Sequence, residues 1–233
     1  MSQVISSASM PTYDDLPSLM AMMTGDEKHE DGASSTLDAL WVLYDQVLSV
    51  TPANINDDSR DRFLLSKGHG PMAYYAVLAA KGFIPTQWLP SFATLGSKLG
   101  HHPDHVLIPG VEISSGSLGH GLPLAVGVSL GLRLRALHEP RVVVMLGDAE
   151  LDEGTNNEAI AFAGRMGLDR LTAVVIDNRS ASWGWPGGIA SRFTCEGWHS
   201  ADVDGHSHQQ LFHALSDRAA NKPNVVVAHI EDD

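Results

Sequence analysis

One stretch of the chain, residues 141–180, constrains the fold more than any other. It contains two short runs rich in β-branched residues, at 141–146 and 171–176, and between them a segment of small and apolar residues at 158–166. Strand, helix and strand at this spacing predict a βαβ unit whose two strands are parallel neighbours. We therefore predict an α/β fold built on a mainly parallel sheet.

The other predicted elements follow from hydrophobic periodicity and from the positions of glycine and proline. Further strands are expected at 63–65, 111–113 and 224–230, and helices at 36–50, 71–81, 122–137 and 209–219; residues 179–191 are expected to form a loop. The even apolarity of residues 122–137 predicts a helix that is buried on most sides.

A carboxylate and an amide follow the two strands of the βαβ unit. Asp148 comes directly after the first strand, and Asn178 comes after the second. Ligands of parallel sheets bind beyond the carboxyl ends of the strands, where both side chains are expected. Oxygen ligands of this kind suit Mg²⁺. Gly-Asp and Asp-Asn are also common in turns and helix caps, and this simpler interpretation stays open.

Several histidines lie in loops. His69 falls between a strand end and a helix start, where backbone N–H groups point outwards. His101, His102 and His105 are close together, but no fourth ligand accompanies them at a spacing typical of zinc sites. We interpret these three as loop histidines that face a cleft.

Composition excludes several classes of protein. The net charge of −13 argues against non-specific binding of nucleic acid. The only cysteine, Cys195, cannot form an internal disulfide and is compatible with a reducing compartment. No apolar run reaches membrane-spanning length, and no signal peptide is evident. We expect a cytoplasmic protein that binds neither nucleic acid nor membrane, with an N-terminal arm at 1–24 and one domain at 25–233.

Three motifs then point to a family. The sequence reads DRFLLSKGHG, then GHHPD and PGVEISSGSLGHG, then GDAELDEG followed by DN. Their order and spacing resemble the amino-terminal domain of the transketolase family, which binds the diphosphate of thiamine diphosphate. The family's third motif begins GDG, and this chain departs from it at Ala149. The resemblance implies a thiamine diphosphate-binding fold with helices on both faces of the sheet.

The resemblance also implies a metal site. Asp148 and Asn178 correspond to the family's metal ligands, and Ser180 is expected to offer its backbone carbonyl. The ion is expected to be Mg²⁺, with Ca²⁺ or Mn²⁺ as substitutes. The N–H groups of Gly147 and Ala149 are expected to help cradle the diphosphate.

Other positions correspond to residues around the cofactor and the substrate. Gly116 and Leu118 are expected to contact the cofactor, and His69 is expected to lie near both cofactor and substrate. His102 corresponds to a histidine that contacts sugar hydroxyl groups. Glu153 corresponds to a glutamate that links two cofactor sites across a subunit interface. His29 corresponds to one further loop histidine, although its neighbours differ from those of the family.

In the family, the glutamate that activates the cofactor belongs to a separate pyrimidine-binding domain. We therefore expect this chain to act with a second subunit that carries that domain, as an α2β2 heterotetramer. The predicted reaction is transfer of a two-carbon ketol unit from a ketose-type donor to an aldehyde-type acceptor. Two alternatives stay open: the same subunit of another thiamine diphosphate enzyme, such as a 2-oxo acid decarboxylase or acyl-transfer system, and a non-catalytic remnant.

Overall fold

The computed structural model describes residues 10–24, 30–68 and 70–230, with the backbone alone at 30–33. At its centre is a five-stranded sheet in which every pairing is parallel. The strands are β1 (Arg62–Leu65), β2 (Val142–Gly147), β3 (Leu171–Asp177), β4 (His199–Asp204) and β5 (Asn224–His229). Their order in the sheet is β1-β2-β3-β5-β4. The predicted α/β class with a parallel sheet is confirmed.

Helices cover both faces of this sheet, as predicted. They are α1 (Leu16–Met20), α2 (Glu30–Val42), α3 (Met72–Ala80), α4 (Gly121–Leu134), α5 (Gly154–Met166), α6 (Ile189–Thr194) and α7 (His208–Ser216). Alternate residues of each strand face opposite ways. Val143 and Met145 of β2 therefore join a core formed with α2, α3 and α7, whereas Val142 and Val144 join a core formed with α4, α5 and α6.

The predicted βαβ unit is confirmed as β2, α5 and β3. The register pairs Val142 with Leu171 and Gly147 with Ile176, so the two strands end side by side. Every residue of β2 is buried, because helices cover both of its faces. A strand of that kind reads as a continuous apolar run, which explains why the sequence revealed it so clearly.

Two predictions of secondary structure were wrong, and one strand was missed. Residues 111–113 form no strand, since the N–H of Val111 turns back to the carbonyl of Ile108 at 3.3 Å. The edge strand β4 was missed because Val203 is its only buried residue, so it lacks an apolar run. The helix α6 lies partly within the segment that was predicted to be a loop.

The helix α4 is also less buried than its composition predicted. One of its faces rests on the sheet and on α5, but Leu124 is 48% exposed and Leu134 is 86% exposed. The helix ends at Leu134, three residues earlier than expected, and Ala136 then adopts a left-handed conformation with φ of 58°. An apolar face of α4 is therefore open to solvent in this chain.

The described part of the predicted N-terminal arm packs on the domain. Leu16 at the start of α1 and Met23 after it are both buried in the core that α2 and α3 form. The division at residue 24 itself stays a prediction. Within the described ranges, no helix combines the length and the apolarity needed to cross a membrane.

Candidate functional site

The carboxyl ends of β2 and β3 bring two of the predicted residues together. Asp148 directly follows β2, and Asn178 directly follows β3. The N–H of Asp148 donates to the carbonyl of Ile176 at 3.0 Å, which continues the pairing of the two strands by one step. Parallel pairing thus places both side chains at the same edge of the sheet.

The carboxylate of Asp148 is held in one position by donors from both strand ends. Its Oδ1 accepts hydrogen bonds from the N–H of Ala149 at 2.8 Å and from the hydroxyl of Ser180, and its Oδ2 accepts one from the N–H of Ala181 at 3.0 Å. The residue is only 2% exposed. The sequence predicted Ser180 as a backbone ligand, but here its hydroxyl contacts the carboxylate.

The segment that follows β3 bends sharply to reach Asp148. Arg179 adopts a left-handed conformation with φ of 58°, which is uncommon for a residue with a side chain. Such a conformation costs on the order of 1–3 kcal/mol and tends to occur where function requires it. The bend directs Ser180 and Ala181 back towards the carboxylate.

Asn178 has a polar atom that its surroundings do not satisfy. Its Oδ1 is buried and accepts no hydrogen bond in the described part of the chain. A buried acceptor without a partner costs about 1–3 kcal/mol, so its position favours a bound ligand. Because an amide oxygen beside a carboxylate is a donor set that Mg²⁺ accepts, Asn178 and Asp148 fit a metal.

The remaining ligands of such an ion would have to come from elsewhere. Among the residues that the structure describes, no group of three or more His, Cys, Asp or Glu side chains could hold a metal. Mg²⁺ commonly takes one or two protein carboxylates and completes its shell with water and substrate phosphates. One carboxylate oxygen of Asp148 and the amide oxygen of Asn178 therefore suit a Mg²⁺ ion whose other ligands are phosphate oxygens and water.

Beside this pair lies a cleft of about 280 Å³, which we call the inner cleft. Its lining residues are Lys67, Gly68, Leu118, Gly147, Ala149, Glu150, Asn178 and Ser180. Several predicted residues meet here, and two charged residues that the sequence analysis did not single out join them. These two are Lys67 and Glu150, which both lie inside the motifs quoted above.

Glu150 is a buried acid with several donors. Its Oε1 accepts from the Ser66 hydroxyl and from the N–H of Gly119 at 2.9 Å, and its Oε2 accepts from the N–H of Gly147 at 3.4 Å. Burial raises the pKa of Glu150, although these hydrogen bonds and the charge of Lys67 act in the opposite direction. The carboxylate is 2% exposed and belongs to the wall of the cleft.

Lys67 places a positive charge between two acids. Burial lowers the pKa of Lys67 to about 8, while the carboxylates of Asp148 and Glu150 act to raise it. Its Nζ lies 3.3 Å from the hydroxyl of Ser35. The lysine thus partly balances the charge of the two buried carboxylates.

The loop at 115–121 carries Gly116 and Leu118, and Leu118 lines the inner cleft. The N–H groups of Gly116, Ser117 and Leu118 make no hydrogen bond within the described part of the chain, so they can donate to an anion. The imidazole of His102 lies over Gly116, where a Cβ would come within 3.1 Å of the ring. His102 therefore lies against the same loop.

The contacts of His102 fix which of its nitrogens carries the proton. Its Nδ1 lies 2.9 Å from the carbonyl oxygen of Gly68. A carbonyl oxygen can only accept, so Nδ1 donates. In the neutral imidazole the other nitrogen, Nε2, is then an acceptor that can bind a hydroxyl group.

The N–H groups at 147–149, which were predicted to help cradle the diphosphate, have acceptors within the protein. Gly147 donates to Glu150, Asp148 donates to Ile176, and Ala149 donates to the Asp148 side chain. These three donors are already engaged by the protein. The unengaged donors lie across the cleft, in the loop at 115–121.

Glu153 is exposed at the N-terminus of α5 and contacts the loop at 115–121. A Cβ on Gly119 would lie 2.5 Å from the Cβ of Glu153. His29 and His69, the other two predicted catalytic residues, lie outside the described residues.

A known protein family matches most of the chain. The family model described as the transketolase, thiamine diphosphate binding domain matches residues 21–230 of the chain. The chain belongs to this family. The match extends from the end of α1 to the end of β5, so the domain comprises the whole sheet and the inner cleft at its carboxyl edge.

Several curated proteins are similar to this transketolase-family domain. "Ferredoxin fas2" of Rhodococcoides fascians is 56% identical over 219 residues, which cover 94% of the chain and 72% of that protein. The "6-deoxy-6-sulfo-D-fructose transketolase subunit SqwG" of Clostridium sp. (strain MSTE9) is 34% identical over 208 residues, covering 85% of the chain and 75% of that protein. One of the subunits of an apulose-4-phosphate transketolase from Actinobacillus succinogenes is also 34% identical, covering 86% and 75%.

Solved structures show the same fold. A transketolase from Leishmania mexicana matches with a TM-score of 0.78 at 24% identity, covering 95% of the chain and 37% of that protein. A transketolase from Campylobacter jejuni gives the same TM-score and identity, covering 93% and 37%. The domain thus spans little more than a third of those transketolases.

The word ferredoxin in the name of the first relative does not describe this domain. Four cysteine thiolates typically hold the iron–sulfur cluster of a ferredoxin. The 233 residues of this chain contain one cysteine, Cys195, which lies after α6. These residues cannot supply such a set.

A second cleft of the domain, the outer cleft, lies on the other side of Asp148. It measures about 420 Å³ and is lined by residues that include Asp148, Asp177, Trp183, Trp185, Arg192, Asp202 and His229. The guanidinium of Arg192 lies over the ring of Trp185, 4.9 Å from its centroid. The two tryptophans of the loop thus line a cleft rather than join the core.

The outer cleft contains a histidine between two acids. Nδ1 of His229 lies 3.0 Å from Asp177 Oδ2, and its Nε2 lies 2.9 Å from Asp202 Oδ1. Partial burial acts to lower the pKa of His229, but the hydrogen bonds and charges of Asp202 and Asp177 outweigh it and raise the pKa above its usual value. This group joins the ends of β3, β4 and β5.

Proposed function

We propose that the chain is the amino-terminal subunit of a two-component, thiamine diphosphate-dependent enzyme of the transketolase type. The enzyme would transfer a two-carbon ketol unit from a ketose-type donor to an aldehyde-type acceptor. The observation that carries the proposal is the buried, unpartnered Oδ1 of Asn178 beside the fixed carboxylate of Asp148. Together with the family match, it supports a site for a divalent cation and a diphosphate.

The residues of the chain divide the work of binding. Asp148 and Asn178 would hold Mg²⁺, with the backbone of Ser180 as a further ligand, and the ion would neutralise part of the diphosphate charge. The unengaged N–H groups of Gly116 and Leu118 would donate to the cofactor from the opposite side of the inner cleft. Lys67 would place a positive charge near the same group.

When bound, thiamine diphosphate supplies the carbanion chemistry of the reaction, and the protein supplies orientation and proton handling. His102 is suited to recognise a sugar hydroxyl group, because its Nδ1 donates to Gly68 and its Nε2 is an acceptor. His69 and His29 would act beside it at the substrate, as their place in the motifs suggests.

A partner subunit is part of the proposal. Two of the relatives are named as transketolase subunits, which supports a division of the enzyme between polypeptides. The apolar residues Leu124 and Leu134 on α4 are exposed in this chain, and exposed apolar surface is typical of contact sites. We propose an α2β2 heterotetramer in which Glu153 meets its counterpart across the interface.

A second candidate function keeps the cofactor and changes the substrate. Trp183 and Trp185 give the outer cleft an aromatic wall next to Asp148. Aromatic walls suit ligands with an apolar part, so this cleft would accept a 2-oxo acid with an apolar side chain in a decarboxylation or acyl-transfer reaction. The buried and satisfied carboxylate of Asp148 argues against a non-catalytic remnant, because a site under no constraint would not retain a strained turn around it.

Reconstitution tests the proposal. The chain is purified with a polypeptide that carries a transketolase-type pyrimidine-binding domain, and both are assayed with thiamine diphosphate, Mg²⁺ and a panel of ketose and 2-oxo acid donors. We expect turnover by the pair and none by either protein alone. Turnover by this chain alone would contradict the two-component proposal, and turnover with 2-oxo acids only would favour the second candidate.

A further inference from the structure

Glu150 joins several segments that form the inner cleft, and none of the family motifs assigns it a role. Its carboxylate accepts hydrogen bonds from Ser66 at the end of β1, from Gly147 at the end of β2 and from Gly119 in the glycine loop, residues 115–121. We propose that Glu150 is a positioning residue that fixes the glycine loop against the ends of β1 and β2. The meaning of that position rests on the function proposed above, since the loop carries the donors assigned to the cofactor.

Ser66 extends the same junction to the helix α4. Its hydroxyl donates to Glu150 and accepts a hydrogen bond from the N–H of Gly121 at 3.0 Å. Gly121 is the first residue of α4, and the first N–H groups of a helix have no partner within it. The two backbones approach so closely that a Cβ on Gly121 would lie 2.1 Å from the Cβ of Ser66.

The acid itself is held by the helix α5. The side-chain amide of Asn156 donates to the backbone carbonyl of Glu150 at 2.6 Å, and Asn156 is fully buried. Glu150 is 2% exposed, so water cannot readily replace its donors. Hydrogen bonds in such a buried network are stronger than on the surface, and losing one partner is costly. The junction therefore has a defined geometry before any ligand binds.

The bond between Glu150 and Gly119 matters for binding because of the residues that precede Gly119. Gly116, Ser117 and Leu118 precede it directly, and their N–H groups have no acceptor within the described part of the chain. Such donors bind an anion well only if the protein already holds them in place. Gly119 bonds to Glu150 through its N–H, and its carbonyl accepts from the hydroxyl of Thr155 at 2.7 Å. Loss of the bond to Glu150 would leave the second bond alone to hold Gly119 and would loosen the three donors that precede it.

Amide hydrogen exchange tests the inference on the full chain without any ligand. The variants are Glu150→Gln, which removes the charge and one acceptor, and Ser66→Ala, which removes the hydroxyl that links the acid to α4. Glu158→Gln, an exposed position on α5, is the matched control. We expect exchange of the two amides that the junction holds, those of Gly119 and Gly121, to become on the order of tenfold faster in both variants, the change that follows from losing a buried hydrogen bond. Exchange in β2 and β3 should stay as in the control.

Calorimetry with thiamine diphosphate and Mg²⁺, on the chain combined with the partner polypeptide used for reconstitution, supplies the second measurement. Affinity should fall by roughly 10–100-fold in Glu150→Gln, the size typical of residues that orient a binding group without touching the ligand. The control should bind as the unmodified chain does. If Glu150→Gln does not fold, Ser66→Ala decides, since it leaves the buried acid in place.

The outcomes separate this inference from the proposed function. Unchanged exchange at 115–121 in both variants, or loss of protection spread evenly over the sheet, would overturn the positioning role. Equal affinity for the cofactor in Glu150→Gln and the control would also overturn it. Failure of the unmodified chain to bind thiamine diphosphate together with its partner polypeptide would instead contradict the proposed function, and the exchange experiment would still decide whether Glu150 fixes the loop.

Discussion

The two halves of the carboxyl edge of this sheet differ in how far their charged side chains are buried, although both are built from parallel strands. At the ends of β1 and β2 the acids Asp148 and Glu150 are each 2% exposed and take several hydrogen bonds from the protein. At the ends of β4 and β5, Asp202 and His229 are about half exposed and bind each other. Burial fixes the first pair, whereas solvent reaches the second.

The difference arises from what lies over each half. The glycine loop, α4 and α5 cover the ends of β1 and β2, so polar groups there must find partners within the protein. β4 is an edge strand, and the loop with Trp183 and Trp185 lies near its end and leaves Asp202 about half exposed. The comparison shows that one sheet edge can hold a rigid pocket and an open, titratable surface side by side.

The largest expected effect comes from the buried half. Asp148→Ala should weaken Mg²⁺-dependent binding of thiamine diphosphate by more than about 100-fold, because loss of a metal ligand should exceed the roughly 10–100-fold effect of residues behind the ligands. Titration calorimetry with and without Mg²⁺ measures it. Asp202→Ala, at the end of β4, serves as the control and should bind as the unmodified chain does. Similar losses in both variants would show that the two halves are not distinct in function.

A smaller effect is expected on stability, from two glycines of one helix. Gly121→Ala places a Cβ 2.1 Å from the Cβ of Ser66, so the free energy of unfolding should fall by about 1–3 kcal/mol. Gly127→Ala, where no atom lies within 4 Å of the added Cβ, should raise it by about 0.5–1 kcal/mol. Urea denaturation of both variants measures the two changes. Equal changes would mean that the loop can move away from Ser66 at little cost.

The smallest effect should come from the exposed half. The pKa of His229 is raised in the folded protein, so its stabilising contribution is complete below the ordinary pKa of about 6.5 and is lost as pH rises through the higher, folded-state value. His229→Gln should therefore cost most near the acidic end of this range. Since the site is partly exposed, the cost should be roughly 0.2–1 kcal/mol.

Denaturation of His229→Gln and the unmodified chain at several pH values between about 5.5 and 8 checks this expectation. His138→Gln, which removes an exposed histidine outside the outer cleft, is the control. A stability difference that grows with rising pH would contradict the predicted sign.

Much of the fold could be predicted because its signals are local. β2 and β3 are continuous apolar runs, and the small residues of α5 lie between them, so the βαβ unit was evident. β4 was not evident, because an edge strand with one buried residue has no such run. The strand order could not be predicted either, since β5 inserts between β3 and β4 through pairings that no local pattern encodes.

The candidate site divides in the same way. Local sequence patterns were enough to predict that Asp148 and Asn178 follow neighbouring strands, and parallel pairing brings the two residues to the same edge of the sheet. Only the tertiary structure revealed that Glu150 meets Ser66, a residue that lies 84 positions away in the sequence, and that Gly119 joins them. The two kinds of feature depend on interactions at different distances along the chain. The end of a strand is set by a pattern a few residues long, whereas the partners of a buried acid are set by the packing of segments that are distant in the sequence.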